Sequence, residues 1–366
     1  MRIFMLVPRE GVRGPIAKQT SHLVAALRSL GCTVATHPWG RRSDDERLVV
    51  KAMKRLLDVV SVRRALQGEE FDVAIVQTAH DWRTLARDIA VVLAIRRRCR
   101  PVLLQLHGSR ASALVEPRHR AFRLATATLL LLVDGVMVLS TEEQRHWQAF
   151  RRNPPVFTVK NPFVGNAASR RDAVEASATE ADRVLFVGRL LEAKGIFALV
   201  EAFATVVDQA MCELVIVGCG EHERRVRRQI RRLGLEEQVR MKGYLTGAEL
   251  HREYAEASLL VLPTSWDEGF PTVLAEAMDA GLAIVTTRIR GAADHLVEGK
   301  HALFVEPRDV RAIASAILTV LRDRELRERM RSANRQRVRI FEPEVVGAEY
   351  LQVLRSLVRP APPAES

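Results

Sequence analysis

The stretch LLVLPTSWDEGFPTVLAEAM, Leu259 to Met278, decides how the chain folds. It opens on an apolar run short enough to be a buried strand. It passes through a turn-rich loop and resumes as a helix-like segment that stops at Gly281. A buried strand, a loop and a helix in succession form the βα unit of a parallel sheet. Two carboxylates break the pattern. Glu268 lies in the loop, and Glu276 interrupts the apolar VLAEAM one turn into the helix. Pro271 suits a first helical turn, where a missing N–H is no loss. The free N–H groups of Thr272 and Val273 would then point beyond the strand's carboxyl end, ready for an anion.

The same alternation runs through the whole chain. Strand candidates in the first half are RIFMLVP, TVATHP, VAIVQ, VLLQLH, GVMVLS and VFTVKN. In the second half they are RVLFVGR, CELVIVG, VRMKGY, LLVLPTS, AIVTT and ALFVE. Amphipathic segments such as AKQTSHLVAALRSLG and FALVEAFATVV lie between them. This is an α/β chain with mostly parallel sheets. Residues 165–182 are small and polar and read as a linker. They divide an N-terminal domain, 1–164, from a second domain, 183–342. A last helix, 343–360, follows the break at Phe341–Pro343 and is expected to pack back on the first domain.

Composition narrows the class. Of 366 residues, 48% are hydrophobic, enough to build real cores. No apolar run approaches the ~18 residues of a membrane span. The longest, LATATLLLLVDG at 124–135, reads as a buried element. The opening MRIFMLVPREG reads as strand and loop without the apolar region of a signal peptide. Cys32, Cys99, Cys212 and Cys219 lack metal-site spacing and fit a reducing cytoplasm. Cys212 and Cys219 flank an apolar run and are expected in or near the core. Residues 1–165 hold 27 Lys and Arg against 14 Asp and Glu, and residues 166–366 hold 29 against 30. The basic excess is thus confined to the first half, which points to a polyanion or an anionic membrane there, or to a solvated basic surface.

In a parallel sheet, ligands bind at the carboxyl ends of the strands. VLFVGRLLEAKG places Gly188, Arg189 and Lys194 after one strand, and two cations there can neutralise a diphosphate. IVGCGEH places Gly218 and Gly220 after the next, either for close backbone approach or simply as turn glycines. RIRGAADH, 288–295, is a further strand-end loop.

In this order and spacing, GR-x4-KG, G-x-G, EGFP with its E-x7-E, AGLAIVTT and LVEGKHALFVEP resemble the retaining GT-B glycosyltransferases of the glycogen-synthase-like branch (glycosyltransferase family 4 type). The resemblance covers the whole second half. It is looser in the first, where RGPIAKQTSHLVAALRSLGCTV is similar to the family's first loop and helix, and QLHGS to its loop histidine. The resemblance implies two Rossmann-like domains whose parallel sheets face each other across a cleft. It also implies a nucleotide-diphosphate sugar as co-substrate. Arg189 and Lys194 would bind the diphosphate, Glu276 the ribose hydroxyls and Glu268 the donor sugar. Gly269, Phe270, Pro271, Thr272 and Val273 would form the loop that meets sugar and phosphate. His107 would sit near the reacting carbon, and Tyr244 near the base. Gly14 and Ile16 would complete the first-domain loop.

Two departures stand out. Gly14–Pro15 occupies the place of the family's adjacent glycines. Proline has no N–H to give a phosphate, so the Ile16 amide or the two cations must serve. Arg290 stands where a glycine is usual, and Asp294 where a glutamate is usual. No metal is required in this reading, because the cations offset the leaving-group charge. The expected chemistry is attack by an acceptor hydroxyl from the face the diphosphate leaves. A double displacement would need a carboxylate ~5 Å from its partner, and none is evident. The competing readings are a sugar-nucleotide epimerase and a binding subunit without turnover.

The acceptor is expected to be a glycan or lipid-linked glycan, met by the basic first domain at the cytoplasmic membrane face. Arg47, Lys51, Lys54, Arg55 and Asp58 fall on one helical face, with Leu48, Val49, Met53, Leu56 and Val60 roughly opposite. That pattern fits an anionic bilayer or an ordinary surface helix equally. IRRRCR and RHRAFR add cations. Nucleic acid is not expected, since no recognition motif or interleaved aromatics accompany them.

Overall fold

Alternating side chains fix the sheets. Phe4 and Leu6 point to one face of the first strand, Ile3 and Met5 to the other, and all four are buried. A strand apolar on both faces must be covered on both, which is the rule for parallel sheets. The computed structural model describes residues 1–9, 15–39, 58–116, 119–165 and 182–358. They form two compact units: Met1–Val164 with Phe341–Ser366, and Gly165–Ile340.

The first unit holds β1 (Arg2–Pro8), β2 (Thr33–Trp39), β3 (Val73–His80), β4 (Val102–Ser109), β5 (Gly135–Val138) and β6 (Val156–Thr158). Their order is β2-β1-β3-β4-β5-β6, with parallel pairing throughout. Pro38 is tolerated because β2 is an edge strand. On one face Phe4, Leu6, Val76 and Leu104 pack with Val92 and Ile95 of the helix Trp82–Arg96 and Phe122 of the helix Arg120–Leu130. On the other, Met5, Ile75 and Leu103 pack with the helix Pro15–Ser29 and with Pro343–Leu357.

That last helix crosses Pro15–Ser29 closely, for a Cβ on Gly347 would lie 3.0 Å from Ala26 Cβ. Its Tyr350, fully buried, accepts a hydrogen bond from Gln105 Nε2 of β4. Lys160 pairs with Glu349 of the same helix.

The second unit holds β7 (Asp182–Val187), β8 (Cys212–Val217), β9 (Val239–Gly243), β10 (Leu259–Leu262), β11 (Ala283–Thr287) and β12 (Leu303–Val305). The order is β12-β11-β10-β7-β8-β9, again parallel. Sequence order therefore reverses between β7 and β10. Adjacent loops diverge at such a switch point and leave a crevice, where doubly wound sheets bind ligands.

Three readings of the sequence change. Asp58, placed by its pattern on the charged face, is buried and pairs with Arg9 at 2.6 Å, whereas Val60 is exposed. The described end of that segment thus turns its charge inward, because Arg9 of the loop after β1 supplies a partner. Arg47 to Leu56, like Gly14, lies outside the described residues. The run 124–135 is not wholly buried either: Leu129 and Leu130 are, but Leu124 is 71% and Leu131 65% exposed. Cys219 is exposed rather than near-core, because it sits past the end of β8.

Leu354 has no exposed surface. Leu354→Ala should cost about 2–5 kcal/mol and lower the urea midpoint. A midpoint within error of wild type would mean that the last helix does not carry the first unit's core.

Candidate functional site

Two loops flank the switch of the second unit. After β7, the residues Gly188 to Leu191 lead into a 3-10 turn, Glu192–Lys194. After β10, Pro263 to Pro271 lead to the helix Thr272–Ala280. Gly195 locks them together. Its φ is +79°, and a Cβ would lie 2.1 Å from Pro263 O. Ala193 O accepts from the Ser265 N–H at 2.7 Å and from the Thr264 hydroxyl at 3.1 Å. The Lys194 side chain, only 9% exposed, is held against the Glu268 carboxylate. An ammonium so removed from water requires such a counter-charge.

Arg189 is exposed, with its guanidinium 5.6 Å from the Trp266 ring centroid. Cation–π contact parks the charge at the mouth of the crevice without neutralising it. Trp266 itself was not singled out from the sequence, because a lone loop tryptophan carries no pattern.

Glu268 is oriented by its backbone, whose N–H donates to Trp266 O at 2.8 Å. The next residues are tied to the following strand-end loop. The Gly291 N–H donates to Gly269 O at 2.6 Å, and a Cβ on Gly291 would lie 2.0 Å from that oxygen. Phe270 stacks edge-on to His295. Arg290 is buried at φ +46° and pairs with Asp267 at 3.1 Å. The arginine in the place of a glycine thus braces the loop carrying Glu268.

Pro271 is the residue before the first helical turn, not within it, with extended ψ of 127°. Its carbonyl accepts from the Leu274 N–H at 3.0 Å, the bond that opens the helix. No side chain caps this helix, so the N–H groups of Thr272 and Val273 are available to an anion.

Glu276, one turn further, accepts from the Tyr254 hydroxyl at 2.7 Å. Burial and the Glu276 charge raise the Tyr254 pKa well above its usual value, so the phenol stays protonated as a donor. Tyr254 lies on the neighbouring helix, Gly247–Glu256, and nothing in EYAEA distinguishes it from a core tyrosine.

Gly218 has φ +134°, and a Cβ would lie 1.9 Å from Gly188 O. Its task is to let the β8 end approach the β7 end, whose Gly188 N–H donates to Val217 O. Tyr244 follows the edge strand β9, two strands from the switch, and is 68% exposed.

In the first unit, His107 of β4 lies with Nε2 3.1 Å from Gln77 Oε1 on β3. That oxygen also accepts from the Thr20 hydroxyl of the first helix at 2.6 Å. An amide oxygen only accepts, so Nε2 carries the proton and Nδ1 offers a lone pair. Burial lowers the His107 pKa to about 4, keeping the imidazole neutral near pH 7. Ile16 lies in the first turn of the helix Pro15–Ser29, where backbone N–H groups lack helical partners. The structure brings Arg189, Lys194, Glu268, Gly269 and the helix N-terminus together at one switch; His107 and Ile16 belong to the other unit.

Residues 169–337 match the family model described as glycosyl transferases group 1. The second half of the chain is thus similar to that family. The chain is 31% identical over 259 residues to the putative colanic acid biosynthesis glycosyltransferase WcaL of Escherichia coli, covering 62% of this chain and 64% of that protein. It is 29% identical over 287 residues to an exopolysaccharide phosphotransferase of Streptomyces coelicolor, covering 74% of this chain but 27% of that one. The chain thus spans less than two thirds of these relatives. Among solved structures, Anabaena HepE in complex with UDP-glucose is similar with a TM-score of 0.73, 19% identity and coverage of 98% and 100%. The fold is GT-B, two Rossmann-like units in one chain. The matched residues include every element of the β7–β10 switch.

Two predictions follow from this geometry. Gly218→Ala forces a Cβ into a backbone oxygen and should lower the melting temperature by several degrees; an unchanged transition would contradict the close approach. Tyr254→Phe should leave the fold intact and weaken binding of the nucleotide-sugar donor proposed below roughly three- to tenfold, as loss of a hydrogen bond worth about 1 kcal/mol implies. Calorimetric titration of both proteins reads the difference.

Proposed function

We propose that the protein transfers a sugar from a nucleotide-diphosphate sugar to a hydroxyl of a glycan or lipid-linked glycan, with retention of configuration, in cell-envelope or exopolysaccharide synthesis. The carrying observation is the Lys194–Glu268 pair at the β7–β10 switch, between Arg189 and an uncapped helix N-terminus. Together these offer two cations and two backbone donors to one anion. A diphosphate is the group that needs them, since negative charge grows on it as the glycosidic bond breaks. HepE, bound to UDP-glucose, supports the nucleotide-sugar donor. WcaL supports the polysaccharide setting.

In the proposed step the acceptor oxygen bonds to the anomeric carbon as the bond to the diphosphate oxygen breaks on the same face. The acceptor proton passes to the departing diphosphate. Glu268 is engaged by Lys194, so its role is to hold the lysine and the donor sugar rather than to attack carbon. Glu276, oriented by Tyr254, is assigned to the ribose. Arg189, Lys194 and the helix N–H groups offset the charge, and no metal enters the step.

Thermal-shift screening against UDP-, GDP- and ADP-sugars identifies the donor, because binding raises the melting point by mass action. Lys194→Ala should lose at least a hundredfold in donor hydrolysis or transfer, and Glu276→Ala should chiefly weaken donor binding. Turnover should survive EDTA, and the product should keep the donor's anomeric configuration by NMR. Full activity of Lys194→Ala would sink the proposal.

A further inference from the structure

The first unit carries an apolar surface that its own core does not explain. On the helix Trp82–Arg96, Leu85, Val91, Val92 and Ile95 are buried, while Trp82 is 51% and Leu93 43% exposed. Trp82, Ala86, Leu93 and Arg97 recur at three- to four-residue multiples and share the outer face. On the neighbouring helix Arg120–Leu130 and its continuation, Leu124 and Leu131 are the counterparts, exposed at 71% and 65%. The two helices cover one face of the sheet side by side, joined by Trp82 packing edge-on against Phe122 at 5.5 Å. Their outer faces therefore point the same way. Large apolar side chains so exposed and so clustered mark an interaction surface.

The charge around this surface names its occupant. Arg97, Arg98 and Arg100 are exposed at the end of the first helix, and Arg120 at the start of the second. The acids of the same segment are engaged. Asp81 accepts from the Thr84 N–H at 3.0 Å, Asp88 is buried against Arg87 and Thr78, Glu116 pairs with His119, and Asp134 with Arg96. A protruding Trp and Leu patch rimmed by unneutralised arginines fits an anionic lipid surface, where the apolar groups enter the headgroup boundary and the cations face phosphates. No described helix is long and apolar enough to cross a membrane, which leaves contact at the interface plane.

We infer that the outer face of the helices Trp82–Arg96 and Arg120–Leu130 docks the protein on an anionic phospholipid bilayer, with Trp82, Leu93, Leu124 and Leu131 inserted at the interface. This surface is separate from the β7–β10 switch, and the inference stands whether or not sugar transfer is the activity.

Flotation with phosphatidylglycerol-containing vesicles tests it. Wild type should float, and 0.5 M salt should weaken binding. Leu124→Ser/Leu131→Ser and Arg97→Gln/Arg120→Gln should each reduce partitioning at least fivefold with unchanged melting temperature. In the wild-type protein, brominated lipid should quench fluorescence that Trp82→Phe removes, a readout that needs no folded leucine variant. Three outcomes overturn the inference: equal flotation of variants and wild type, no binding to anionic vesicles, or a concentration-dependent dimer that the leucine substitutions dissolve.

Discussion

An ammonium group buried at the end of a parallel sheet has to be met by a negative charge, and in this protein that need organises the second unit. Lys194 lies in the loop after β7 and Glu268 in the loop after β10. These strands are neighbours because sequence order reverses between them. The pair therefore closes across the one place where the loops diverge. Gly195 against Pro263 and the Ala193 carbonyl then hold the two loops in register, and the Gly269–Gly291 hydrogen bond ties the second of them to the loop after β11.

The consequences for an anion follow from this constraint. A lysine fixed by a carboxylate presents its remaining donors in a set direction, whereas a free lysine would pay side-chain entropy to order. Arg189 lies exposed over Trp266, and the helix beginning at Thr272 adds fixed dipoles. Glu276 lies one turn behind, braced by Tyr254. The two glutamates of the opening stretch thus flank the helix N-terminus, Glu268 in the loop before it tied to a cation and Glu276 one turn inside it tied to a phenol.

Much of this was legible in the sequence, and the reasons differ by residue. Most of the twelve described strands announce themselves because buried parallel strands are short apolar runs bounded by turn residues, while the edge strands β2 and β9 are more polar and half-exposed. The GR-x4-KG and E-x7-E spacings place Lys194 and Glu268 at strand ends. The strand order that brings those ends together is a long-range property, and no local pattern encodes it. Tyr254 and Glu276 meet across 22 residues on separate helices, so neither predicts the other. Asp58 defied its helical pattern because a partner, Arg9, came from a distant loop. Leu124 and Leu131 read as core because hydrophobicity alone does not say which side of a helix meets water.

The coupling between Lys194 and Glu268 tests the account most directly. A double-mutant cycle of Lys194→Met and Glu268→Gln, read as affinity for the stabilising nucleotide sugar by calorimetry, isolates it from either side chain's separate contact with the donor. The account predicts single substitutions whose effects do not add, with a coupling of at least about 1 kcal/mol. Additive effects, or a donor affinity that neither substitution changes, would contradict the claim that this pair builds the donor site.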